Sequence, residues 1–192
     1  MSADDGLDVL PFPSAAAWHG WLEEHHSASP GVWVKIAKKG SGIESVHYPQ
    51  ALESALCFGW IDGRRRAFDE QYFLQHFTRR RSRSRWSQIN RDTAELLISE
   101  DRMEPAGLAE VQRARDDGRW DAAYAGQKSM EVPQDLQREL DASPPAAEFF
   151  AGLTSQNRYA ILYRLHDAKR PGTRARRLAT FVAMLEAGET IH

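Results

Sequence analysis

The chain has 192 residues, 42% of them apolar and 27% charged, with a formal net charge of −2. That length supports one domain, or a domain and a small companion, with a real core. The charge excludes a protein that is basic throughout, so any nucleic-acid footprint has to be local.

The acidic opening, MSADDGLDVLPFP, lacks the basic end and apolar run of a secretory leader, and no stretch approaches bilayer length. One cysteine allows no intrachain disulfide. Together these point to a cytoplasmic protein without membrane insertion. Ser14 is a plausible N-cap, and Trp18, Trp21, Leu22 and His25 recur at helical spacing, which predicts a helix over 15–26. Pro30-Gly31 breaks it. Residues 32–39 alternate, with Val32, Val34 and Ile36 on one side, as in a strand with one core face. Tyr48-Pro49 opens a short helix holding Leu52, Ala55 and Leu56, and Gly59 suits its stop.

Residues 60–68 predict a second strand, with Trp60, Asp62, Arg64, Arg66 and Phe68 on one side. Asp69-Glu70 reads as the turn and 72–77 as the returning strand, with Gly63 marking a bulge or a close approach to the backbone. After the arginine-rich 79–85, Trp86, Ile89, Thr93, Leu96 and Leu97 mark a helix. The next starts at Pro105 with Leu108, Val111 and Ala114 and stops at Gly118. Residues 121–132 have no period and read as a linker between a domain at 1–120 and a module at 133–192. That module is all helical: 134–140, 146–153, a helix capped by Ser155, and one capped by Thr173. The fold class expected is α+β, a small antiparallel sheet of about three strands packed by helices and followed by the helical module.

The residues that carry chemistry cluster between Asp62 and Arg91. Nine arginines stand there against three carboxylates, Asp62, Asp69 and Glu70. A hairpin is expected to bring Arg64–Arg66 near 79–81. Guanidinium forks match phosphate oxygens, and Ser82, Ser84 and Ser87 add hydroxyl donors at a helix start, where backbone N–H groups also favour anions. Trp86, Phe77 and Tyr72 suit stacking on bases. The candidate ligand site is therefore Trp60, Asp62, Arg64, Arg66, Arg80, Ser84, Trp86, Ser87 and Asn90. Its partner is a phosphate-containing small molecule or nucleic acid. The bland reading is a solvated edge ribbon whose charge prevents aggregation. Asp62 is expected to orient Arg64 or Arg80; the alternative makes it the general base of an enzyme acting on a phosphorylated or antimicrobial small molecule.

Other candidates are weaker. His19, Glu23 and His26 share a helix face at metal-ligand spacing but read more simply as solvated polar residues. Cys57 sits among apolar neighbours and reads as a buried, inert thiol. No nucleophile elbow, P-loop, dinucleotide or zinc-finger pattern occurs, so no cofactor is expected. In the tail, Lys169, Arg170, Arg174, Arg176 and Arg177 flank a helix start. They need an offsetting group such as Glu148, Asp167 or a bound anion, and an interdomain salt-bridge cluster is the simplest reading.

Several stretches, in one order, resemble the YdeI/OmpD-associated, or bacteriocin-protection, family. They are ALCFGWIDG (55–63), F-T-x-R-x-x-x-S-x-W-S-x-I-N (77–90), M-x-P-A-G (103–107), G-R-W (118–120) and, in the tail, A-K-R-P-x-T-R-x-R-R (168–177). The resemblance implies a cytosolic bacterial protein linked to stress or antimicrobial tolerance. It implies no established reaction, so it carries over no catalytic residues. Arg79 stands where the family usually has proline, and Arg83 where glycine is common.

Overall fold

The computed structural model describes residues 6–127 and 129–191. Met1–Asp5, part of the acidic opening, Lys128 within the expected linker, and His192 lie outside them. The chain divides into two compact units, the first ending at Ala123 and the second starting at Tyr124.

The first unit holds a sheet of four strands, not three. They are β1 (Val9–Pro11), β2 (Val32–Ala37), β3 (Trp60–Ala67) and β4 (Tyr72–Arg79), in the order β1-β2-β4-β3. β2–β4 and β3–β4 pair antiparallel, as the alternation predicts, while β1 runs parallel to β2 at the edge. β1 escapes a pattern search because three residues ending in proline show no period. Proline is tolerated there since an edge strand has an unpaired side.

Helices α1 (Ala15–His25), α2 (Tyr48–Cys57), α3 (Gln88–Ser99) and α4 (Pro105–Asp116) belong to the same unit. Ser14 caps α1 by accepting from the Ala17 amide at 3.2 Å. The main core joins Trp18, Leu22, Leu56, Trp60, Phe77, Trp86 and Leu97. β2 differs from its expected single core face: Trp33 is also fully buried, in a small cluster with Val9 and Leu74 on the other side of the sheet. α3 is rotated from expectation. Its buried residues are Asn90, Ala94 and Leu97, whereas Ile89 is 61% and Leu96 56% exposed.

Gly63 does mark a bulge. The pairing shifts between Asp62, opposite Phe77, and Arg65, opposite Gln75. One extra residue reverses which side each later side chain takes. Arg64 and Arg66 therefore leave the face of Trp60 and Asp62 and lie over the Trp33 ring, at 5.9 and 5.2 Å. Arg65 takes the other face, 3.5 Å over Phe73.

The second unit is helical: α5 (Gln134–Ala142), α6 (Pro144–Gly152), α7 (Ser155–Asp167) and α8 (Pro171–Glu186) around Leu136, Phe150, Ile161, Leu165, Phe181 and Leu185. Two caps differ from expectation. Thr154, not Ser155, caps α7 by accepting from the Asn157 amide, and α8 starts two residues before Thr173, at Pro171. The tail arginines pair inside this unit. Arg174 grips Asp135 with two bonds of 2.5 and 2.8 Å, and Arg177 reaches Asp167 at 3.5 Å; Glu148 takes neither.

Candidate functional site

The nine residues proposed from the sequence do not form one site. The expected approach of Arg64–Arg66 to 79–81 fails on register: Arg65 lies opposite Gln75 and Arg66 opposite Leu74, while Arg79 lies opposite Trp60. In a hairpin, partners are equidistant from the turn, and Arg79 is much farther from Asp69-Glu70 than Arg66 is. The three arginines of β3 are exposed on an edge strand. Arg64 and Arg66 cover an aromatic ring there, which is how an edge is kept from pairing with another chain.

Asp62 accepts a hydrogen bond from the Tyr48 hydroxyl at 2.9 Å, across from the start of α2. Of the two arginines it is expected to orient, Arg64 or Arg80, the bulge turns Arg64 to the opposite face. Trp60 is fully buried, and its indole N–H donates to the His26 carbonyl at 3.1 Å. Trp86 is 1% exposed and packs edge-on to Trp120, so neither ring is offered to a base. Ser84 accepts from the Arg81 amide at 2.8 Å, Ser87 caps α3 by accepting from the Asn90 amide at 3.1 Å, and Asn90 is buried. These polar residues close turns and helix ends.

Arg80 behaves differently. Its side chain is only 4% exposed, yet it is a guanidinium lying 3.5 Å over the Trp86 ring and donating to the Arg85 carbonyl at 3.0 Å. It lines a cleft of about 360 Å³ with Arg79, Arg113, Glu110 and His26. Three arginines from two elements thus converge on a concavity that the sequence left unmarked.

Local chemistry explains the cleft's shape. Gly59 sits at φ +72° where α2 meets β3, and a Cβ there would come within 2.8 Å of the Glu110 side chain and 2.9 Å of the Ala106 carbonyl oxygen. Gly107 lets α4 approach the Cys57 carbonyl, which accepts from the Glu104 amide at 3.1 Å; a Cβ at 107 would collide with that oxygen. Two glycines 48 residues apart hold α4 against the corner from which Arg80 departs, and the Arg80 amide donates to the Gly59 carbonyl. Arg113 pairs with the buried Glu110 one turn earlier, and Arg79 donates to the Ser27 carbonyl at 3.0 Å. Among the described residues one carboxylate and three guanidiniums line the cleft, a positive setting that favours an anion.

The remaining candidates sit elsewhere. The imidazoles of His19 and His26 pack on the Phe58 ring at 4.9 and 5.1 Å. Among the described residues no group of three or more His, Cys, Asp or Glu is placed to hold a metal. Cys57 is 2% exposed, and burial pushes its thiol up to about 11, far from a nucleophile's range at neutral pH. No helix among the described residues is long and apolar enough to cross a membrane.

Residues 10–110, more than half of the chain, match the model of a domain of unknown function, DUF8412. Residues 129–188 match the model described as bacteriocin-protection, YdeI or OmpD-associated. The tail motif at 168–177 lies in the second match, whereas the stretches at 55–63, 77–90 and 103–107 lie in the first and 118–120 lies in neither. No curated protein and no solved structure matches the chain.

Proposed function

We propose the following for a chain that belongs to the family of the DUF8412 domain through residues 10–110 and carries a YdeI/OmpD-associated segment at 129–188. It is a non-catalytic binding module of the cytoplasm, and its first unit takes a small phosphate-type anion in the cleft of Arg79, Arg80 and Arg113. The role is one in stress or antimicrobial tolerance, the context that the second family's description suggests.

One observation carries the reading: a buried arginine, held by a ring and a carbonyl, stands at a cleft that two further arginines line. Burying a charge is costly, and a guanidinium kept there with its stem fixed loses little freedom when it meets an anion. A compact anion suits the cleft better than nucleic acid, because Trp60 and Trp86 are core residues and stack on nothing outside. An enzymatic role through Asp62 draws no support from its position, since its carboxylate bonds Tyr48 and does not line the cleft.

A thermal-shift screen of the full chain against inorganic phosphate, nucleotides and short single-stranded nucleic acid at low ionic strength tests the reading. A ligand that binds only the folded state raises the melting temperature. Phosphate or a nucleotide is expected to do so, with the shift shrinking as salt is added. No shift with any anion would end the proposal, and a shift with nucleic acid alone would replace it with the edge ribbon.

A further inference from the structure

The second unit contains a cleft of about 530 Å³ built within that unit alone. Its walls are Pro145 and Phe149 of α6, Leu153 just after it, and Leu185 of α8, while Glu148 and Glu186 also line it. Both glutamates are exposed, and Leu185 reaches the unit's core. Among the described residues no lysine or arginine lines this cleft. Its volume lies in the range of small-ligand sites, roughly 300–1,000 Å³.

The electrostatics favour one sign. Glu186 keeps one carboxylate oxygen on the Ser143 hydroxyl at 2.7 Å, so its charge is positioned as well as present. α8 ends here with no basic residue in its last turn, which adds the negative end of a 16-residue helix. The opposing features are the N-terminus of α7, where the Thr154 side chain takes up one amide, and Arg158, which donates to the Phe150 and Ala151 carbonyls at the end of α6. Arg158 faces a neighbouring cleft and is absent from this one. Two carboxylates and a helix C-terminus therefore outweigh one capped helix start.

We infer that this cleft binds a small amphiphilic cation, an apolar body ending in an ammonium or guanidinium group. The apolar body lies along Phe149, Leu153 and Leu185, where burial of methylenes drives binding in proportion to area. The cationic head rests between Glu148 and Glu186 at the rim. A neutral molecule of the same shape gains only the first term, and an anion loses on the second.

The test uses three probes of equal chain length, octylammonium, octanol and octanoate, titrated calorimetrically into the full chain at neutral pH. Octylammonium is expected to bind several-fold more tightly than octanol, with octanoate weakest. The Glu148→Gln/Glu186→Gln double variant alters only exposed side chains and keeps an acceptor for Ser143. It should weaken octylammonium binding about three- to tenfold and leave octanol unchanged. Leu153→Asn should weaken all binding. Octanol binding as tightly as octylammonium, an unaffected double variant, or no heat from octylammonium at all would overturn the inference.

Discussion

Arg80 lies over Trp86, its guanidinium carbon 3.5 Å from the ring centroid, and both residues are almost fully removed from solvent. The pair joins the end of β4 to the entry of α3 and gives one cation two roles, part of the core and one wall of the cleft. Removing it therefore acts on folding first. Arg80→Ala is expected to cost about 3 kcal/mol of stability, from the lost ring contact and the charge-assisted bond to the Arg85 carbonyl. Trp86→Ala should cost about 3–5 kcal/mol. Urea unfolding checks both, with the exposed Arg81→Ala expected within about 0.5 kcal/mol of wild type.

Tyr48 and Asp62 form a coupled pair. Tyr48→Phe should destabilise by about 0.5–1.5 kcal/mol, Asp62→Ala by a similar amount or more, and the double variant by less than their sum. A double-mutant cycle in urea reads the coupling. Strict additivity would show that the 2.9 Å bond contributes nothing.

Cys57 should be inert in the folded protein. A thiol reagent at neutral pH is expected to label the native chain at least about a hundredfold more slowly than the urea-unfolded chain. Its thiol, held up near 11 by burial, also links stability to alkaline pH. The folded state keeps a proton that the unfolded chain releases near pH 9, so stability falls as pH rises from about 9 to 11. A Cys57→Ala variant should lose that part of the decline.

The second unit has an acid-sensitive tie. Two hydrogen bonds from Arg174 hold the Asp135 carboxyl below the usual carboxylate range. Its contribution is present above the ordinary value of about 4 and is lost as pH falls through Asp135's own lower one. Asp135→Ala is expected to cost about 1.5–3 kcal/mol at neutral pH and to flatten stability below about pH 4. Amide exchange on α5 and α8 follows it within the intact chain.

Much of the fold was legible because period and punctuation agreed: Ser14 before Trp18, Tyr48-Pro49 before an apolar run, and Asp69-Glu70 between two alternating segments. Where they conflicted, tertiary contacts decided. α3 turned Asn90, Ala94 and Leu97 inward and left Ile89 and Leu96 outside, since alanine permits a closer approach than a larger apolar residue. Gly63 marks the bulge in the sequence, but which face Arg64 and Arg66 take depends on the register shift between Asp62 and Arg65, which only the pairing with β4 fixes. Site legibility was poorer for a related reason. The conspicuous stretches W-I-D-G and P-A-G are packing devices: an indole bonded to His26, a carboxylate bonded to Tyr48, a bulge, and a glycine that clears the Cys57 carbonyl. Arg113 carried no mark in the sequence, because only the packing of α4 on the α2–β3 corner brings it beside Arg79 and Arg80.

The most direct test of the anion cleft is calorimetric titration of inorganic phosphate into the wild-type full chain and an Arg79→Gln/Arg113→Gln variant at low ionic strength. Both arginines are exposed and glutamine keeps a donor at each position, but the buried Glu110 loses its cation, so the variant is expected to melt below wild type and is titrated well under its own melting temperature. Losing a charge-assisted contact costs about 1.5–3 kcal/mol, so phosphate affinity should fall at least about tenfold in the variant and fall in the wild type as salt is added. Equal affinity in the two proteins, or no phosphate binding by the wild type, would contradict the account.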